Sequence, residues 1–257
     1  MEKHLEDRKL EEWVEFRHLY VKPTPEELLE YPKGFFMHMA NSRSGHNYIR
    51  ANIQSWTAEQ PRKYYNFENI RPNMFMEKFK DINLDDYPES IYVLQSRDLL
   101  NWFSSWMIFN MRSFMKRSLD RGIGWDDLIR INLDTWSAIN KEMHGETNYL
   151  NRDFISVNYD EFFASREYRK NICIRVGGSY NEDVLLKVTE DGRGSTTDGF
   201  TYEGKADEMK VLERYKDLPP AYKKTMASAL KQHPEALEIY LKYYVLTEEQ
   251  QDLINNF

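Results

Sequence analysis

Between Gly34 and Trp56 the chain, GFFMHMANSRSGHNYIRANIQSW, passes from an apolar run to a helical repeat through one short cluster of turn formers. Gly34 to Ala40 is bulky and apolar except at His38, which predicts a short, mostly buried strand. Asn41, Ser42, Arg43, Ser44 and Gly45 supply the turn. From His46 onward Tyr48, Ile49, Ile53 and Trp56 recur at three- and four-residue steps, the spacing of a helix with one apolar face. A strand, a tight loop and a helix in this order aim free backbone N–H groups and the positive end of a helix dipole at one spot, which suits a phosphate or sulfate group. The same composition also serves as an ordinary strand-to-helix connection. The Walker pattern G-x-x-x-x-G-K-[ST] is absent, so this is not a standard nucleoside-triphosphate loop.

The remaining chain alternates in the same manner. Residues 3–20 carry Leu5, Leu10, Trp13, Val14, Phe16 and Leu19 among charges and predict an amphipathic surface helix. Lys63–Phe67 predicts a second strand closed by Glu68 and Asn69, and a short helix follows around Met74–Phe79. Ser90–Gln95 is β-branched and aromatic, a third strand that stops at Ser96, Arg97 and Asp98. Apolar residues at helical spacing cover Leu99–Leu119 and Trp125–Glu146. Phe154–Asn158 predicts a fourth strand, followed by Tyr159, Asp160 and Glu161. A helix through Tyr168–Val176 ends at Gly177 and Gly178, and Asn181, Glu182 and Asp183 predict the cap of a short helix to Val188. After a glycine- and hydroxyl-rich loop, GRGSTTDGFTYEG, Pro219–Gln232 and Pro234–Leu246 predict a closing helical pair.

Strands separated by helices predict an α/β fold of three layers, a central parallel sheet flanked by helices. In such sheets ligands sit beyond the carboxyl ends of the strands, here Asn41–His46, Glu68, Ser96–Asp98 and Tyr159–Glu161. The length suits a single domain over 1–257, with a helical segment at 1–33, a nucleotide-binding core at 34–200 and a helical extension at 205–257.

Composition narrows the function. A net charge of −7 argues against a general binder of nucleic acid or anionic membrane. One cysteine, Cys173, excludes an intrachain disulfide framework and points to a reducing compartment, so the expected location is cytoplasmic. The first residues, MEKHLEDRKLEE, are too charged for a secretory signal, and no apolar run reaches the length of a membrane helix. The six histidines show no HExxH or paired ligand spacing, so no metal is expected.

Basic groups emerge from separate strand ends: Arg43 in the first loop and Arg97 after the third strand. Ser105 lies eight residues past Arg97, about two helical turns on. Arg193, between Gly192 and Gly194, sits in a loop free to approach a ligand closely. Each has an ordinary alternative, a solvated surface charge for the arginines and a small helix-contact residue for Ser105.

Taken together these segments resemble the sulfotransferases that use 3′-phosphoadenosine 5′-phosphosulfate (PAPS), a P-loop-like fold. Ser42-Arg43-Ser44-Gly45-His46-Asn47-Tyr48 is similar to their 5′-phosphosulfate loop, in the R-S-G form of the Golgi protein-tyrosine sulfotransferases. Ser96-Arg97-Asp98 with Ser105 resembles their 3′-phosphate motif, Asn158-Tyr159-Asp160-Glu161 the segment whose tyrosine lies near adenine, and Gly192-Arg193-Gly194-Ser195 their late basic glycine loop. The resemblance spans residues 34–200. It departs where Leu99 replaces a proline, where His46 and Asn47 replace threonines or serines, and where Arg43 replaces the lysine of cytosolic members.

The resemblance implies in-line transfer of a sulfuryl group from PAPS to an acceptor hydroxyl or amine, leaving PAP, without a metal. Backbone N–H groups of Ser44, Gly45, His46 and Asn47 would hold the phosphosulfate and Arg43 would stabilise the leaving oxygen. Arg97, Ser105 and Arg193, with Gly194 beside it, would bind the 3′-phosphate. Tyr48 and Tyr159 would contact adenine or be core tyrosines. A general base must take the acceptor's proton; Glu68 is the first choice and His46 the reserve. The acceptor, a small molecule, glycan or lipid hydroxyl, is not readable, although Tyr64, Tyr65, Trp102, Trp106, Phe200 and Tyr202 are available to line a pocket; the tryptophans also fit a core. A homodimer through the last helices is compatible with the sequence. Two other functions compete: a nucleotide-dependent kinase of the same fold, which needs a magnesium ligand and the Walker lysine, and a non-catalytic nucleotide-binding or scaffold protein.

Overall fold

Four short strands, β1 (Phe35–Ala40), β2 (Lys63–Glu68), β3 (Ile91–Ser96) and β4 (Ile155–Asn158), form one all-parallel sheet in the order β2-β1-β3-β4. They are seen in a computed structural model that describes residues 34–59, 62–68, 71–78, 85, 87–117, 124–188 and 198–256. The amphipathic helix expected over 3–20, and Arg193 and Gly194, lie outside those residues. Ala40 stands opposite both Glu68 and Gln95, and Ser96 opposite Asn158, so the carboxyl ends of all four strands share one edge.

Among the described residues nine α-helices accompany the sheet: α1 (His46–Trp56), α2 (Pro72–Lys78), α3 (Leu99–Arg117), α4 (Trp125–Met143), α5 (Tyr159–Ala164), α6 (Arg166–Arg175), α7 (Pro220–Gln232), α8 (Pro234–Tyr243) and α9 (Glu248–Asn255). Alternation along the strands divides the core in two. Phe36, Val93, Ile155 and Val157 face Ile49 and Ile53 of α1, Phe162 of α5 and Ile172 and Cys173 of α6. Phe35, Met37, Met39 and Leu94 face Phe75 of α2 and Ile139 of α4. A third cluster joins Trp102, Phe103 and Trp106 of α3 to Trp136 of α4, Met226 and Leu230 of α7 and Tyr240 of α8. The tryptophans of α3 are therefore core residues and not the lining of an acceptor pocket; both are fully buried.

Two local expectations need correction. Asn181–Val188 forms turns and no helix. The Asn181 side chain does accept from the Asp183 N–H at 3.2 Å. The backbone groups that follow are spent on distant partners: Leu185 O takes the Tyr48 hydroxyl, Leu186 O the Ala206 N–H, and Val188 N donates to Glu203. Tyr159–Glu161, which follows β4, is the first turn of α5, capped by the Asn158 side chain, which accepts from Asp160 and Glu161 N–H. The closing helices number three, because α8 stops at Tyr243 and Thr247 starts α9 with a capping box to Gln250.

Candidate functional site

The loop after β1 is held from below. Gln95 Nε2 donates to Ser44 O at 2.7 Å and to Ser44 Oγ at 3.1 Å, Trp102 Nε1 donates to Ser42 O at 2.9 Å, and Asn41 Nδ2 donates to Asn132 O at 3.4 Å. These bonds keep Asn41, Ser42 and Ser44 buried, while Arg43, Gly45 and Asn47 reach the surface in part. Arg43 adopts φ +69°, rare for a residue with a side chain, and Gly45 follows at +86°. Gly45 is the N-cap of α1, and its carbonyl accepts from Tyr48 and Ile49 N–H. The first amides of a helix have no intrahelical acceptor, so Gly45 and His46 fit the donor role expected of them. Ser44 does not, because its N–H bonds Asn41 O at 3.1 Å within the turn.

Arg97, at the end of β3, meets this loop. Its Nη1 lies 3.4 Å from Arg43 O and 3.4 Å from Ser105 Oγ, and Nη2 donates to Val211 O. The guanidinium carbon stands 4.8 Å from the centroid of the Tyr159 ring, and Nε lies 3.9 Å from Asp160 Oδ1. Arg97 and Ser105 are thus brought together, with Arg97 only 4% exposed. Burial draws the Arg43 pKa down; Glu68 opposes this and Arg97 adds to it. Arg43 also stacks on Phe109, 4.7 Å from the ring centroid.

Glu68 is the last residue of β2, and its Oε1 is 2.5 Å from His46 Nε2. The two candidate bases therefore form a pair. The Glu68 side chain is 24% exposed and that of His46 8%, so the carboxylate is the more accessible member of the pair. Tyr48 and Tyr159 sit edge to face, 6.4 Å apart, inside the apolar cluster of α1 and α5. The Tyr48 hydroxyl is spent on Leu185 O at 3.1 Å, so both tyrosines are core residues whose ring edges approach the site.

Several contacts escaped the sequence. Asp98 fixes the start of α3, accepting from Asn101 N–H at 2.8 Å, from Gln250 Nε2 at 3.0 Å and from the Tyr240 hydroxyl. Its own N–H donates to Asp160 Oδ2 at 2.6 Å. Burial is the main cause that raises the pKa of both carboxyl groups, against the pull of Arg97. Gln95 and His38 were findable in principle, because a polar side chain in a short apolar strand needs a buried partner. A groove of about 310 Å³ between α4 and α7, bordered by Asp126, Lys224 and His233, shares no residue with this site.

Among the described residues no group of three or more His, Cys, Asp or Glu side chains could hold a metal ion, and no helix is long and apolar enough to cross a membrane. No protein-family model matches the sequence, and comparison with functionally curated proteins gives no significant match.

Proposed function

We propose that this chain is a PAPS-dependent sulfotransferase of P-loop-like fold. The observation that carries the reading is the convergence of Arg97, Ser105 and the Arg43 loop, three segments from separate elements joined through one guanidinium. An anion at the first amides of α1 and a second at Arg97 correspond to the two charged ends of a 3′,5′-bisphosphorylated nucleotide. Arg43 neutralises charge that develops on the bridging oxygen; a guanidinium keeps its proton, so it acts by electrostatics. Glu68 takes the acceptor's proton through the oxygen not bonded to His46 Nε2, and His46 orients the carboxylate.

One observation favours a second reading, a nucleotide-binding protein without turnover. Arg97 is nearly enclosed and already bonded to Arg43, Ser105 and Val211. The same titrations separate the two. PAP should bind the full chain at least about tenfold more tightly than AMP, the ratio expected of one charge-assisted hydrogen bond. Equal affinities would remove the assignment of Arg97. Radiolabelled PAPS incubated with pooled hydroxyl acceptors in EDTA should then label a product. Glu68→Gln should slow that labelling about 10²-fold or more with PAP affinity unchanged. PAP binding without any labelled product would leave the non-catalytic reading.

A further inference from the structure

A line of polar side chains runs under the loop and has no part in the chemistry just described. Tyr64 of β2, His38 of β1 and Gln95 of β3 project from the same face of the sheet, the one covered by α1. Tyr64 Oη lies 2.5 Å from His38 Nδ1, and Gln95 Nε2 bonds both oxygens of Ser44. That leaves two buried atoms, His38 Nε2 and Gln95 Oε1, with no hydrogen-bond partner among the described residues. His38 and Gln95 are fully buried on the same face of adjacent strands, Gln95 lying two residues beyond Val93, which stands opposite His38.

Donor and acceptor rules give this line a direction. The Ser44 carbonyl only accepts, so Gln95 must turn its NH₂ to the loop and its oxygen away from it. That oxygen needs a donor. A neutral His38 supplies one only with its proton on Nε2, which leaves Nδ1 bare to accept from the Tyr64 hydroxyl. Each assignment forces the next. We propose that Tyr64, His38 and Gln95 form a one-way hydrogen-bond chain that ends on Ser44 and holds the loop in its anion-binding conformation. The need is visible in the backbone: Ser44 lies between two left-handed residues, Arg43 at φ +69° and Gly45 at +86°. A side-chain-bearing residue stays in that region only when its surroundings hold it there. The three are positioning residues acting through Ser44, and only their functional readout rests on the nucleotide site proposed above.

The first test needs no ligand. Long-range ¹H–¹⁵N spectra of the full chain, with His38 assigned from its missing signals in His38→Gln, should show Nε2 protonated and Nδ1 bare at neutral pH. The opposite tautomer overturns the chain. The second test is a cycle of Tyr64→Phe, Gln95→Met and the double variant, read by PAP titration. Separate effects on residues out of contact multiply, whereas cutting one chain twice costs little more than cutting it once. Gln95→Met should weaken PAP about tenfold and Tyr64→Phe about threefold, for one hydrogen bond lost directly and one at a remove. The double variant should stay near tenfold, and a loss of about thirtyfold refutes the coupling. If the wild-type chain binds no PAP, the sulfotransferase reading fails. The tautomer, and the same cycle scored on urea midpoints, then decide the chain independently.

Discussion

Replacing Gly45 by alanine adds one methyl group where the loop crosses the ring of Tyr159. A Cβ built there falls 2.0 Å from Cε2, 2.4 Å from Cδ2 and 2.7 Å from Cζ of that ring, all far inside contact distance. The ring cannot withdraw easily. The Arg97 guanidinium covers it at 4.8 Å, Tyr48 and Phe163 pack at centroid distances of 6.4 and 6.1 Å, and Tyr159 is 4% exposed. The backbone adds a second cost, since φ is +86°. A left-handed non-glycine residue costs about 1–2 kcal/mol and overpacking a further ~1–3 kcal/mol, together about 2–5 kcal/mol. Gly145 provides the control: its φ is +74° and nothing lies within 4 Å of an added Cβ, so Gly145→Ala meets the first cost alone. Urea unfolding followed by tryptophan fluorescence should give both variants unchanged m-values. The loss at Gly45 should exceed that at Gly145 by about 1–3 kcal/mol, and Tyr159→Leu should restore part of it. Equal losses at the two glycines would refute the close approach of loop and ring.

Two further outcomes follow from distances and charges already described. Ser105→Ala removes the hydroxyl 3.4 Å from Arg97 Nη1; it should weaken PAP about three- to tenfold and leave AMP untouched, and equal losses for both nucleotides would exclude Ser105 from the 3′-phosphate. Asp98 and Asp160 hold protons more tightly in the folded chain than in the unfolded one, because burial outweighs the pull of Arg97. Their contribution to stability is therefore largest in acid and is lost as pH rises out of the ordinary carboxylate range towards the raised folded pKa values. Urea midpoints taken from about pH 4 to 8 should show Asp160→Asn removing a downward component of the wild-type profile; an unchanged difference between the two profiles would contradict the assignment.

What could be read without the structure was local. The β1–loop–α1 unit is contiguous, so its apolar run, turn residues and helical repeat announce it directly. The approach of Ser105 to Arg97 was legible for a related reason: α3 begins two residues after Arg97, and a long guanidinium arm spans the remaining distance. Glu68 and His46 were separately nominated, but their pairing depends on β1 and β2 being adjacent and in register, which periodicity does not encode. The same holds for Gln95, whose bond to Ser44 exists only because β3 lies on the other side of β1. Tyr240 and Gln250 reach Asp98 from sequence distances of 142 and 152 residues. Nothing local distinguishes them from neighbours on an amphipathic helix. The turns at Asn181–Val188 failed in the opposite direction: the helix signal was present, and tertiary hydrogen bonds overrode it.

Those distant contacts bear on how a ligand would reach Arg97. One of its amino groups is held by Val211 O, on a segment whose two sides are joined by the Asp198–Arg214 ion pair and tied back through Glu203 to Val188 N–H. Leu212 O on the same segment accepts from Asn101 Nδ2 at 2.9 Å, so the segment also rests on the first turn of α3. A carbonyl is a neutral acceptor, and a phosphate oxygen in its place would be a charged one. The exchange gains about 1 kcal/mol for that bond, little against the cost of moving a packed segment. A 3′-phosphate under the proposed function therefore does better to enter beside Val211, using the face of the guanidinium towards Arg43 O and Ser105 Oγ, where both existing bonds are long at 3.4 Å. Long bonds to neutral oxygens are the contacts a cation gives up at least cost when an anion arrives. In that geometry Val211 stays in place and acts as the back wall that keeps Arg97 aimed at the loop.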